Sequence, residues 1–342
     1  MEKTDLKTLT LEELEVFIKD AGEPKFRAGQ IFEWLYRGVT SFDEMTNISK
    51  KTREKLSEIS FISYPEIEER FVSKTDGTVK YLFKLSDGNF IETVVMEYKH
   101  GLSICISSQV GCRMGCGFCA STIRGLTRNL TAGEIINQII FASKDLGKRI
   151  GNVVMMGIGE PLDNYDNVVK FLKIVNNEKG LGIGYRHISL STCGVVPNIY
   201  KLSEENLPIN LCISLHAPDD RIRNEIMPVN RAYNISQLME ACREYQKVTT
   251  RRITFEYSLI NGVNDTLSLA DKLAQTVKGI MCHVNLIPVN KVEEREYSKS
   301  SAENIRLFRE RLEKNGINAT VRRELGSDIS ASCGQLRNRK MN

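Results

Sequence analysis

Apolar positions recur at helical spacing through the first sixty residues of the chain. Leu11, Leu14, Phe17 and Ile18 follow Thr10-Leu11-Glu12-Glu13, a capping box in which each end side chain can satisfy the other's backbone amide. A second helix is expected from about Lys25, with Phe26, Ile31, Phe32, Trp34 and Leu35 apolar, and a third between Ser49 and Ile59. From about Ile67 to Tyr98 the period shortens. Residues 78–85 and 90–96 are rich in strand formers and flank Ser86-Asp87-Gly88-Asn89, so they read as a hairpin about an Asp-Gly turn. From Leu102 onward strand-like runs alternate with helical ones. Strands are predicted at 102–107, 152–156, 187–191, 209–215, 253–259, 283–287 and 318–321. Thr131-Ala132-Gly133-Glu134 is a second capping box, leading into Ile135, Ile136, Ile139 and Ile140. Repeated alternation argues a parallel sheet covered by helices. The pattern alone does not separate an open sheet from a partial or closed barrel.

Composition changes this picture little. With 342 residues, 41% hydrophobic and 26% charged, the chain has the make-up of a globular protein with room for one large and one smaller domain. Its first residues, Met1-Glu2-Lys3-Thr4-Asp5-Leu6-Lys7, are too charged for a secretory signal, and no apolar run approaches the roughly 20 residues that span a bilayer. A cytoplasmic protein without a membrane partner is therefore expected, and its nine cysteines are expected as thiols or metal ligands rather than disulfides. A net charge of +4 permits a nucleic-acid partner without requiring one.

The sharpest chemical signal is Gly111-Cys112-Arg113-Met114-Gly115-Cys116-Gly117-Phe118-Cys119. Three thiolates spaced Cys-x3-Cys-x2-Cys can hold a four-iron, four-sulfur cluster and leave its fourth iron free for a ligand such as S-adenosylmethionine. A structural zinc site usually takes four ligands in two separated pairs, and the next His and Cys here are His187 and Cys193.

In βα barrels the active site forms at the C-terminal strand ends, where the unusual polar residues of this chain fall. The cysteine loop follows the first predicted strand of the alternating region, and Gly157-Ile158-Gly159-Glu160-Pro161 follows the second. Ser191 ends the third, Ser214-Leu215-His216 ends the fourth, and Asn290 follows the sixth. Glu160 can meet an amino-acid ammonium, and Ser191 and Asn290 can bond a ribose or carboxylate. Taken singly, each reads more readily as a strand-end residue, and His216 alone reads as structural. Cys105 lies on the first of these strands. Cys333 sits among small residues near the end, which suits either a reactive thiol or an inert one. Cys193, Cys212, Cys242 and Cys282 read as small core residues.

Taken together these residues resemble a known family, the bacterial radical S-adenosylmethionine methyltransferases that act on adenine carbon 2 in 23S rRNA and tRNA. The resemblance is carried by residues 26–31, 104–112, 128–131, 159–161, 214–218, 283–290 and 333–336 and covers almost the whole chain. It implies an α/β fold, a partial (βα)6-type radical SAM barrel with a small helical N-terminal domain and a β-hairpin extension. The expected divisions are an RNA-binding accessory domain at 1–62, a hairpin linker at 63–98 and a catalytic core at 99–342. It implies a [4Fe-4S] cluster on Cys112, Cys116 and Cys119, and contacts to S-adenosylmethionine, two per turnover, from Gly159, Glu160, Ser191, Ser214, Leu215, His216 and Asn290. Cys333 is implied to accept a methyl group, which is activated by a radical and joined to adenine. Cys105 is then implied to release the product by attacking the Cys333 sulfur, forming a disulfide. Glu92 occupies the position of the base that removes the carbon-2 proton, with Cys105 a competing candidate. Implied partners are 23S rRNA, tRNA and an electron donor such as flavodoxin, with the enzyme a monomer. Arg124, Arg128, Arg322, Arg323, Arg337, Arg339 and Lys340 are candidate phosphate contacts. Ala331-Ser332 before Cys333 departs from the usual Ala-Ala, and Leu325-Gly326-Ser327-Asp328 lacks a second acidic residue found in many members. Two alternatives remain open: a related adenine carbon-8 rRNA methyltransferase, and a non-catalytic iron–sulfur rRNA-binding factor.

Overall fold

The computed structural model describes residues 3–336; Arg337, Arg339 and Lys340 lie outside the described residues. Three helices open the chain. In α1 (Leu11–Asp20) both halves of the capping box form, with Glu13 N donating to Thr10 Oγ1 at 3.2 Å and Thr10 N donating to Glu13 Oε2 at 2.9 Å. Helix α2 (Phe26–Tyr36) buries Ala28, Ile31, Phe32 and Leu35 but turns Phe26 to solvent. Helix α3 (Lys50–Ile59) starts at Ser49, whose hydroxyl accepts from Thr52 N at 3.2 Å.

The predicted hairpin is β2 (Val79–Lys84) and β3 (Phe90–Tyr98), paired antiparallel. A further strand, β1 (Glu66–Val72), pairs with β2 at the sheet edge. Six of its seven residues are exposed, so it carries no apolar alternation that a sequence reading could detect. The seven strands predicted after Leu102 all form: β4 (Gly101–Cys105), β5 (Ile150–Met155), β6 (Ile188–Thr192), β7 (Asn210–Ser214), β8 (Ile253–Leu259), β9 (Cys282–Pro288) and β10 (Ala319–Val321). Among the described residues they make one ten-stranded sheet in the order 10-9-8-7-6-5-4-3-2-1, parallel from β4 to β10 and antiparallel from β4 back to β1. Six βα units follow in turn, with α4 (Ala132–Leu146), α5 (Tyr165–Asn176), α6 (Val196–Glu204), α7 (Asp220–Ile226) and α8 (Ile235–Thr249), α9 (Leu267–Thr276) and α10 (Ala302–Lys314) after successive strands.

The sheet ends, β1 and β10, do not pair among the described residues, so the barrel is partial. It is nonetheless strongly curled. Arg322, just beyond β10, donates from Nη1 to Met156 Sδ beyond β5 at 3.2 Å. One continuous core joins the N-terminal helices to the barrel, from Leu6, Leu14 and Phe32 through Ile135, Ile136 and Ile139 to Phe308. Each such aliphatic or aromatic side chain contributes about 1.5–3 kcal/mol by leaving water. The junction also holds a buried polar link, Lys7 Nζ to Asn137 Oδ1 at 2.9 Å. No helix among the described residues is long and apolar enough to cross a membrane.

Candidate active site

The parallel strands end on one side of the sheet, and their loops enclose a cavity of about 140 Å³. Its wall includes Cys112, Cys116, Cys119, Gly159, Glu160, Ser191, Ser214, His216, Asn290 and Cys333. Distant segments of the chain converge here because each leaves the C-terminal end of a parallel strand.

The cysteine loop is tied down through its backbone. Cys112 N donates to Gly125 O at 2.8 Å, Gly117 N to Ile226 O at 2.9 Å, and the Thr122 hydroxyl to the carbonyls of Cys116 and Cys119 at 3.1 and 3.0 Å. Arg113 pairs with Asp163. Burial pushes the Cys112 thiol up to about 12 and raises Cys116 as well, with the neighbouring thiols adding to the effect. A positively charged metal centre reverses that preference by stabilising thiolates. Among the described residues no three His, Cys, Asp or Glu side chains converge on one single-ion position. In a four-iron cluster each thiolate binds a different iron, so the donors need only face a common cavity, as these do. The donor set fits that cluster.

Next to it, Glu160 is buried and holds two backbone amides, Leu162 N at 3.0 Å and Cys193 N at 2.7 Å. Burial raises its carboxyl pKa while the Cys193 amide opposes the shift. Gly159 sits at φ +105°, and a Cβ there would lie 2.6 Å from Gln109 Cβ, so only glycine fits this approach. The Ser191 and Ser214 hydroxyls are 3.3 Å apart. His216 adopts a left-handed backbone, φ +55°. Its Nδ1 accepts from Ser258 N at 2.9 Å, and burial lowers its pKa to about 3. The ring is therefore neutral, with the proton on Nε2, a donor on a cavity-lining residue. Leu215 differs from its neighbours. Its side chain is fully buried in the core, its amide donates to Glu256 O at 3.1 Å and its carbonyl accepts from Arg223 Nε at 3.0 Å, and it does not line the cavity.

Cys333 lines this cavity and a second one that also contains Cys105, Val94 and Met96. Both cysteines are free thiols. Cys333 is exposed and borders both cavities. Its loop leans on the cysteine loop: Ala120 N donates to Gly334 O at 2.9 Å, the Ser121 hydroxyl to Leu336 O at 2.7 Å, and Asn290 Nδ2 to Cys333 O at 2.9 Å. Burial pushes the Cys105 thiol up to about 12, and Cys333 facing it adds to the shift. Cys333 is raised in the same direction by burial, and Arg322 opposes it. Glu92 lies two and four residues before Val94 and Met96, so the two-residue period of β3 puts all three on one face. It does not line either cavity. Its carboxylate meets Lys80 Nζ at 3.3 Å in a buried pair.

Several residues of the cavity wall and its frame escaped the sequence reading. Arg322, named there as a phosphate contact, instead lines both cavities and faces Glu256 at 3.8 Å. Glu256 is buried in the cavity wall, and Asn285 Nδ2 donates to it at 3.0 Å. A lone carboxylate within the apolar run of β8 was the available signal for it. Arg223 is completely buried and donates to Leu215 O, Cys193 O, Ser214 O and Asn230 Oδ1, tying together the ends of β6 and β7. Cys193, expected as a core residue, is buried in a small apolar cluster and also borders the cavity, and Cys212 and Cys242 are core. Arg124 and Arg323 are exposed. Arg128 is committed to Asp87 at 2.6 Å and bidentately to Glu134 at 2.8 Å.

A partial barrel that brings a triple-thiol loop, strand-end polar groups and two further thiols to one mouth defines a radical SAM enzyme. The profile of the radical SAM superfamily matches residues 106–271, and that of the ribosomal RNA large subunit methyltransferase N-terminal domain matches residues 4–62. A protein of Alkaliphilus metalliredigens named probable dual-specificity RNA methyltransferase RlmN is 56% identical over 98% of this chain and 96% of its own length. A Clostridioides difficile protein of the same name is 56% identical over 98% of both. The crystal structure of a radical SAM methyltransferase from Sphaerobacter thermophilus superposes with a TM-score of 0.93 at 44% identity, covering 98% of this chain and 99% of that one. The chain belongs to the dual-specificity RNA methyltransferase RlmN family. It is a transferase that uses a [4Fe-4S] cluster and S-adenosylmethionine.

Proposed function

We propose that the enzyme methylates carbon 2 of adenine, at adenosine 2503 of 23S rRNA and adenosine 37 of tRNA, by way of a methyl group carried on Cys333. The observation that supports this most is the position of Cys333, which borders the cluster-side cavity and the cavity that contains Cys105. The target carbon is not nucleophilic, so a direct methyl displacement fails there, whereas a thiolate accepts a methyl readily.

Cys333 Sγ takes the methyl from the sulfonium of S-adenosylmethionine. A carbon–sulfur bond to the cysteine forms as the one to the donor breaks, and the thiol proton leaves. Arg322 favours this step by holding a positive charge beside Cys333. Cys112, Cys116 and Cys119 would hold the cluster, which would supply the electron for reductive cleavage of a second S-adenosylmethionine to methionine and a 5′-deoxyadenosyl fragment. Glu160, the Ser191 and Ser214 hydroxyls and His216 Nε2–H line the space where that molecule's polar ends would sit. The 5′-deoxyadenosyl fragment so released takes one hydrogen atom from the methyl on Cys333, the carbon left there adds to adenine carbon 2, Glu92 takes the carbon-2 proton, and the surplus electron would return to the oxidised cluster. Cys105 then attacks the Cys333 sulfur, forming the sulfur–sulfur bond and breaking the sulfur–carbon bond. The released carbon takes a proton to become the product methyl. An external reductant supplies two electrons and two protons to reset the thiols, and a protein of the flavodoxin type serves as electron donor. Residues 1–62, with Lys25, Lys50, Lys51 and Lys55 facing solvent, act as an accessory module against the RNA backbone, and the enzyme works as a cytoplasmic monomer.

The test is anaerobic reconstitution with iron and sulfide, followed by assay with S-adenosylmethionine and a 23S rRNA fragment. Cys333→Ala is expected to lose all product, and Cys105→Ala to accumulate RNA covalently linked to protein. An unsubstituted protein that makes no product, with Cys333→Ala binding the rRNA fragment equally well, would favour a non-catalytic rRNA-binding factor. Nucleoside digestion and mass spectrometry that found the methyl on carbon 8 would favour the related methyltransferase.

A further inference from the structure

The loop that carries Cys333 is gripped by the turn between β1 and β2. Ser73 Oγ donates to Asp328 Oδ1 at 2.7 Å, and Lys74 N donates to Asp328 Oδ2 at 2.9 Å. Gly326 N donates to Asp76 Oδ2 at 2.9 Å. Gly326 has φ +66°, and a Cβ there would fall 2.9 Å from Thr78 Cγ2, so the loop packs against the Thr78 side chain as closely as glycine allows. One step along β2, Lys80 Nζ donates to Ser330 O at 3.3 Å. Ser330 is itself left-handed, φ +51°, a conformation that a residue with a Cβ keeps only when its surroundings hold it. Two residues separate this strained position from Cys333.

The same ammonium is 3.3 Å from Glu92 Oε1, and both side chains are almost wholly buried, 7% and 6% exposed. It also lies 5.1 Å over the ring of Phe71 on β1. A lysine ammonium has three donors and can serve two acceptors at once. A buried carboxylate keeps its charge and its place only with such a partner. One atom, Lys80 Nζ, thus touches both the Glu92 carboxylate and the Cys333 loop.

We infer that Lys80 is a positioning residue for the methylation, a joint that holds the Glu92 carboxylate and the Cys333 loop in register, with the β1–β2 turn as the latch. The part concerning Glu92 rests on the base role proposed above; the latch does not. If the register is lost, Cys333 and Glu92 no longer address the same adenine, although the surface that meets RNA is unchanged.

The experiment is hydrogen–deuterium exchange read by mass spectrometry on the reconstituted holoenzyme, beside steady-state kinetics with the rRNA fragment. In Lys80→Met, amides 326–331 are expected to exchange about tenfold faster, because the local opening becomes easier. The kcat is expected to fall about tenfold or more with KM for RNA unchanged, since misplacement of reacting groups costs rate rather than binding. Asp328→Asn, an exposed substitution that does not threaten folding, is expected to speed exchange in the same segment and to lower kcat in the same sense. Unchanged exchange at 326–331 in both variants would overturn the latch. A loss confined to KM would overturn the positioning role. If Lys80→Met loosens the loop and Glu92→Gln retains full turnover, the latch stands and the base assignment fails instead.

Discussion

At the scale of single residues the chemistry depends on how each thiol is surrounded. The Cys105 thiol, pushed up to about 12 by burial and by Cys333 facing it, is ionised in only about one molecule in ten thousand at pH 8. Raising the pH moves it toward the thiolate. Alkylation of Cys105 by iodoacetamide, followed by mass spectrometry, is therefore expected to accelerate about tenfold per pH unit from 8 to 11. A plateau near pH 9 would show an ordinary thiol. Cys333 feels burial too, but Arg322 works against it. Replacing that cation in Arg322→Met leaves less thiolate, so Cys333 is expected to alkylate about three- to tenfold more slowly at fixed pH. A faster rate would mean that Arg322 merely shields the sulfur.

At the scale of elements, the ends of β6 and β7 are held by Arg223. It satisfies carbonyls of Cys193, Ser214 and Leu215 and the side chain of Asn230 from a fully buried position. Arg223→Met fills similar space but orphans those acceptors, each of which costs about 1–3 kcal/mol when left buried without a donor. A loss of about 3 kcal/mol or more is expected in urea unfolding of the cluster-free protein. A loss under about 0.5 kcal/mol, the size of an ordinary surface change, would show that water replaces the guanidinium. The capping boxes at Thr10 and Thr131 illustrate what local chemistry decides. In both, the Ser/Thr-x-x-Glu signal became a helix start with both reciprocal bonds formed. Equivalent boxes at Ser41 and Asn234 also form, and they were harder to read because the first opens only a short 3-10 turn and the second uses Asn and Gln.

At the scale of the whole molecule, the N-terminal helices and the barrel share one core, and Lys7 bonds Asn137 across the junction. They are accordingly expected to unfold together. Differential scanning calorimetry of the cluster-free protein should show one transition, and two resolved peaks would mean that residues 1–62 form a separate cooperative unit. The curl of the sheet matters as much as its strand order. It brings Arg322 from beyond β10 to Met156 beyond β5, and so closes a cavity that six consecutive strands only begin.

From the sequence alone came the elements and the chemistry of the cysteine loop, because capping, apolar period and ligand spacing are local properties encoded in neighbouring residues. The seven strands after Leu102 and the three N-terminal helices were legible for that reason, and the exposed edge strand β1 was not. Tertiary structure alone decided which residues meet. Glu256 and Arg223 became part of the site, Leu215 turned into the core, Arg322 moved from the surface to the thiols, and Lys80 was placed between Glu92 and Ser330. These meetings join segments up to 250 residues apart. No local pattern records them, because they follow from strand order and sheet curvature rather than from any one stretch of chain.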